Sequence, residues 1–91
     1  MTKADLIASV AETTDFNKKE AAEAVDSVLK AISRALMKGE KCTLVGFGVF
    51  EVKERAAREG RNPQNPSKVV HIPARKVPTF RPGKELREMV A

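Results

Sequence analysis

An α+β fold is predicted for this chain: two N-terminal helices, a three-stranded antiparallel sheet extended by a long β-hairpin arm, and a short C-terminal helix. Three observations predict it. Two helix-start patterns stand in the first twenty residues, the apolar spacing changes from helical to alternating after Gly39, and a polar, proline-bearing run, Arg58 to Lys68, separates two β-type stretches.

The first helix opens at Thr2-x-x-Asp5, a spacing that approximates a capping box, and Leu6, Ile7, Val10 and Ala11 return at helical intervals until Thr13 and Thr14. The second opens at Asn17 with Glu20 three residues on, and Phe16 stands where it can staple the first turn. Ala21, Val25, Val28, Leu29, Ile32, Leu36 and Met37 then form one apolar stripe, and Gly39 supplies the stop, so the helix spans about 18–38. Cys42 to Val45 reads as a strand, Gly46-Phe47-Gly48 as a tight bend, and Val49 to Arg55 as a longer strand in which Phe50 and Val52 alternate with Glu51 and Lys53.

The run Arg58 to Lys68 has no apolar residue and two prolines, which excludes a central strand and predicts a loop or arm tip. A third strand is expected from about Val69 to Phe80, with Pro73 and Pro78 marking an edge or bulges. Pro82 and Gly83 open the last helix, with Leu86, Met89 and Val90 inward. The chain reads as one domain over 1–91, comprising a helical base (1–40), a β region with its arm at about 53–76 (41–81), and a terminal helix (82–91).

The net charge of +5 is unevenly placed. Residues 1–40 hold six Lys/Arg against seven Asp/Glu, whereas residues 41–91 hold eleven against five. The arm concentrates the excess in Lys53, Arg55, Arg58, Arg61, Lys68, Arg75 and Lys76, opposed only by Glu54 and Glu59. Such a field favours polyanions. Limbs of about nine residues at roughly 3.3 Å per residue reach about 30 Å, enough to follow a minor groove, where guanidinium forks suit the focused negative potential. An exposed hairpin kept soluble by its charges is the bland alternative.

If residues 53–76 project, 67 of the 91 residues remain to form a core, below the roughly 70–80 at which one core becomes marginal. A dimer follows as the expected remedy, with Val25, Leu29, Ile32, Leu36, Leu44, Phe47, Phe50 and Phe80 as its expected interface.

Other functions find less support. His71, Cys42 and the scattered carboxylates show no nucleophile or ligand spacing, so neither catalytic residues, metal nor cofactor is expected. Cys42 reads as a small buried hydrophobe, His71 as a surface or phosphate-facing residue, and Gly46-x-Gly48 lacks the third glycine of a dinucleotide loop. No apolar run is long enough to span a bilayer and the N-terminus lacks signal-peptide regions, which predicts a cytoplasmic protein without membrane contact. The absence of Trp and Tyr removes the stacking platform that RNA recognition needs, leaving only weak RNA affinity. A module whose basic arm binds acidic proteins stays open at this point, and a mobility shift with duplex DNA separates the two.

Gly46-Phe47-Gly48-Val49-Phe50, then Arg55, Arg58 and Gly60-Arg61-Asn62-Pro63, stand in the order and spacing of the HU/IHF family of bacterial histone-like proteins, which the whole chain resembles, most closely its HU branch. The resemblance extends through Ile72-Pro73-Ala74, Lys76-Val77-Pro78 and Phe80-Arg81-Pro82-Gly83-Lys84. It implies an intertwined dimer, of identical chains or of two paralogues, that binds double-stranded DNA in the minor groove with little sequence preference, bends it, favours flexible, nicked or distorted duplex, and organises the nucleoid. It also implies that Pro63 is an intercalating wedge flanked by Arg61 and Asn62, that Arg55, Arg58 and Arg75 line the limbs, and that Lys3, Lys18 and Lys84 meet phosphates further out. The chain departs from the family at Asn65-Pro66, where Thr-Gly is usual, which exchanges a flexible pair for a rigid residue.

Overall fold

The computed structural model describes residues 1–62 and 64–91, the side chains of Arg61, Asn62, Asn65 and Pro66 excepted. Pro63 and those four side chains lie outside the described residues, and with them the wedge assignment. The element order is α1 (Lys3–Thr13), α2 (Lys18–Met37), β1 (Cys42–Leu44), β2 (Gly48–Arg55), β3 (Arg58–Asn62), β4 (Asn65–Ile72), β5 (Arg75–Pro82) and α3 (Lys84–Val90). Residues Met1–Lys38 and Gly39–Ala91 form two compact units.

Both expected capping boxes are present in the helical unit. The Asp5 amide donates to Thr2 Oγ1 at 3.3 Å while the Thr2 amide donates to Asp5 Oδ2 at 2.8 Å. At α2 the Glu20 amide donates to Asn17 Oδ1 at 2.8 Å and the Asn17 amide to Glu20 Oε1 at 3.0 Å. These pairs satisfy amides that the first helical turn leaves without a partner. Gly39, at φ 78°, takes the left-handed conformation that stops α2. The Thr2 backbone bond, then the Thr2 side-chain bond, hold the Asp5 carboxyl below its ordinary range. Lys3 on α1 pairs with Asp26 on α2, and that hydrogen bond, followed by the Lys3 charge, likewise lowers the Asp26 carboxyl.

The β unit holds two sheets. The first has the order β1-β2-β5, all antiparallel, and the second pairs β3 with β4. The chain crosses from β1 to β2 through a turn in which Gly46 sits at φ 83° and the Phe47 amide donates to the Leu44 carbonyl at 2.9 Å. Gly48 lets β5 close in: a Cβ there would lie 2.6 Å from the Arg81 carbonyl oxygen and 2.6 Å from the Phe80 ring. The Gly83 amide then donates to the Phe47 carbonyl at 2.8 Å and Gly83 caps α3.

Four expectations are corrected. The stretch Arg58 to Lys68, read as a loop or arm tip, supplies β3 and the start of β4 within the expected hairpin arm, because in a two-stranded ribbon every strand is an edge and polar residues and prolines are no obstacle. The single strand from Val69 to Phe80 is two strands broken at Pro73-Ala74, and β5 continues through Pro82, so α3 begins at Lys84. Glu51, which alternation with Phe50 and Val52 placed outward, is buried, with Lys41 Nζ 3.8 Å from its Oε2; β2 is the central strand and is covered from both edges. Cys42 is half-buried, since β1 is an edge strand of three residues.

Candidate nucleic-acid interface

The arm grows out of the sheet strand by strand. The β2–β5 ladder runs from Gly48↔Pro82 to Arg55↔Arg75, and the β3–β4 ribbon resumes at Arg58↔Ile72 and continues through Glu59↔His71, Gly60↔Val70 and Arg61↔Val69. Residues 56, 57, 73 and 74 belong to neither ladder. Lys53, Arg55, Arg58, Lys68, Arg75 and Lys76 are all exposed along these strands, so their charges are available to a polyanion. His71 is exposed opposite Glu59, in agreement with its reading as a surface residue.

The structure brings some of the expected residues together and separates others. Arg55, Arg58 and Arg75 line one cavity of about 220 Å³ where the sheet gives way to the ribbon. Lys76 stands 3.9 Å from Glu54, so part of its charge is already answered within the arm. Lys84 is exposed on the first turn of α3. Lys3 and Lys18 are exposed on the helical unit, and Lys3 holds Asp26. The Lys3–Asp26 and Lys41–Glu51 pairs were beyond sequence reasoning, because each joins residues on different elements with no spacing rule to link them.

The expected dimer residues divide in the same way. Phe80 packs between Phe47 and Phe50, with ring centroids 5.4 Å and 4.7 Å away. Even so, Phe47 is 45% exposed, Phe80 39% and Leu44 37%. In the helical unit Leu29 is 44% exposed, while Ile32 and Leu36 are half-buried. Val25 differs from the rest: it is buried within its own chain, at the floor of an apolar hollow of about 250 Å³ lined with Leu6, Val10, Ala24, Val28 and Leu29. Among the described residues, Ala21 and Val25 are the buried apolar core.

The bacterial DNA-binding protein family matches residues 1–91 of the chain. The chain belongs to this family. It is 58% identical over 90 residues to the DNA-binding protein HU of Staphylococcus aureus (strain COL), and 56% identical over 90 residues to that of Geobacillus stearothermophilus, with 99% of each chain covered in both comparisons. Among solved structures it is similar to the Anabaena HU–DNA cocrystal structure, with 47% identity and a TM-score of 0.89 over 100% of this chain and 98% of that one. HU from Thermotoga maritima matches with 36% identity and a TM-score of 0.71 over the whole of both chains. Family membership bears out the likeness read from the Gly-Phe-Gly bend and the arm. Among the described residues no helix is long and apolar enough to cross a membrane, and no group of three or more His, Cys, Asp or Glu could hold a metal ion.

Proposed function

We propose that this chain is an architectural DNA-binding protein which, as a dimer, grips the minor groove with two basic arms, bends the duplex with little sequence preference, and helps compact the bacterial chromosome. The observation that carries the proposal is the arm: exposed Lys53, Arg55, Arg75 and Lys76 at the ends of β2 and β5, then an unpaired joint and a two-stranded ribbon with exposed Arg58 and Lys68, on a fold shared with an HU–DNA cocrystal structure. Affinity then comes from Lys and Arg displacing condensed counterions from phosphates. Kinking by an apolar wedge, here assigned to Pro63, is carried over from minor-groove architectural proteins, of which HU is itself an instance. Few side chains on such an arm reach major-groove base edges, so preference follows deformability, and nicked or distorted duplex binds best. Phosphate attraction does not read the sugar, which leaves weak RNA affinity.

The dimer is supported by the apolar surface that a single chain leaves open. Leu29 and Val28 at the apolar hollow, and Leu44, Phe47 and Phe80 in the β unit, are more than one-third exposed, which is costly in water and is relieved when an identical chain or a paralogue covers them. We read the chain as non-enzymatic and associated with the nucleoid in the cytoplasm. Binding isotherms on intact and nicked random-sequence duplexes at moderate salt, with the mass of each complex, test the proposal. Tighter binding to nicked duplex by a two-chain complex is expected. Failure to bind either duplex would overturn it in favour of an acidic-protein partner.

A further inference from the structure

The joint of the arm has a chemistry of its own. Ala56 and Ala57 on one limb face Pro73 and Ala74 on the other, with no ladder pairing between them. Proline has no N–H to give, and alanine methyls offer little to pack. Just below the joint, Arg55 pairs directly with Arg75. Residues so placed lie on one face with Cβ atoms about 4.5–5.5 Å apart, where like charges repel. The preceding pair, Glu54↔Lys76, lies on the alternate face and is of opposite sign, closing to 3.9 Å. Glu54 and Lys76 also line a neighbouring hollow that Arg55 and Arg75 share, so the charges there are mixed.

The other side of the joint is different. Arg55, Arg58 and Arg75 surround the cavity of about 220 Å³ together with Ala56, Ile72 and Pro73, and no acid is among its described lining residues. Three arginines thus line one cavity with no acid among its described lining residues, against a wall partly apolar. A phosphodiester offers one charge and two free oxygens, and so answers less of the field of three arginines. A phosphate monoester offers about −1.5 to −2 charges at pH 7 and three acceptor oxygens. Planar forks bond such oxygens in pairs, with charge-assisted strength.

We propose that the joint binds a doubly charged phosphate, met as the terminal phosphate of a DNA strand or as a free pyrophosphate-bearing molecule. The first source rests on the DNA-binding reading; the second does not. The test uses the full chain labelled with 15N arginine. The Nε–Hε signals of Arg55, Arg58 and Arg75 are followed as inorganic pyrophosphate or dimethyl phosphate, a phosphodiester, is added at constant ionic strength. The three should move together and saturate with pyrophosphate at least ten-fold more tightly than with dimethyl phosphate, and Arg75→Gln should lose at least ten-fold. Equal affinity for the two probes, or an unchanged affinity in Arg75→Gln, would overturn the site. Duplexes nicked at successive positions, with 5′-phosphate or 5′-hydroxyl at the nick, then separate the sources. A preference of five-fold or more for phosphate at any position assigns the strand end, and equal binding throughout, with pyrophosphate saturation, assigns the free molecule. Loss of binding to intact duplex in the same series would refute the DNA-binding reading and leave the phosphate site standing.

Discussion

Alanine at position 48 should destabilise the β unit although it adds only one methyl group. That methyl would lie 2.6 Å from the Arg81 carbonyl oxygen and 2.6 Å from two atoms of the Phe80 ring. Neither obstacle moves freely. The carbonyl belongs to β5, and the ring is held by Phe47 and Phe50 on either side. At 2.6 Å from backbone the overpacking belongs to the upper half of its usual range, about 2–3 kcal/mol, and the reduced freedom of the unfolded chain returns about 0.4–1 kcal/mol, for a net loss of about 1–2.6 kcal/mol. For a domain of this size each kcal/mol lowers Tm by roughly 4–8 °C. Gly60→Ala is the internal control, because its methyl would press only on the end of the Ile72 side chain, at 3.2 Å, with the Val70 carbonyl oxygen in ordinary contact at 4.0 Å, and should cost about 0.5 kcal/mol or less. Thermal and urea unfolding at one matched protein concentration read both variants, since association contributes to stability. A Gly48→Ala variant as stable as the parent, or a Gly60→Ala variant equally damaged, would refute the close approach of β5 at Gly48.

Acid should weaken the helical unit. Asp5 and Asp26 both titrate below their ordinary value when folded, so their contribution is complete at neutral pH and is lost as pH falls from about 4 through the folded values; Asp26→Asn should flatten that loss in an acid unfolding series. Phe47→Ala should weaken association and folding together, by about 3–5 kcal/mol if a partner completes the burial of the ring, and sedimentation at micromolar concentration would show the shift toward a chain of 10.0 kDa. If a dimer neutralises about eight phosphates, log K against log salt should have a slope near −7, and a slope shallower than about −2 would exclude phosphate neutralisation as the source of affinity.

Much of the fold was legible because its signals are local. Thr2-x-x-Asp5 and Asn17-x-x-Glu20 close as capping boxes, and the change of period after Gly39 marks the boundary between the two compact units. Ribbon strands carry a weaker signal. Polar residues and prolines that rule out a central strand are harmless where both strands are edges, so Arg58 to Lys68 read as a loop or arm tip and its strand bounds stayed hidden. Glu51 was misplaced for the complementary reason: alternation assumes one wet face, and on the central strand β2 that face is covered by neighbours from β1 and β5. The arm cations were legible as a charge run, but the cavity that Arg55, Arg58 and Arg75 line together depends on pairing across 20 residues and on the broken ladder at Pro73-Ala74.

End-to-end energy transfer on a doubly labelled duplex at saturating protein tests the central claim most directly, that the arms convert phosphate affinity into a bend. The protein should bring the ends of the duplex closer, and Pro63→Ala should keep most of the affinity while losing much of the approach, because the exposed cations of the limbs bind phosphate without the wedge. A saturated complex with the duplex ends no closer than in free DNA would contradict the account.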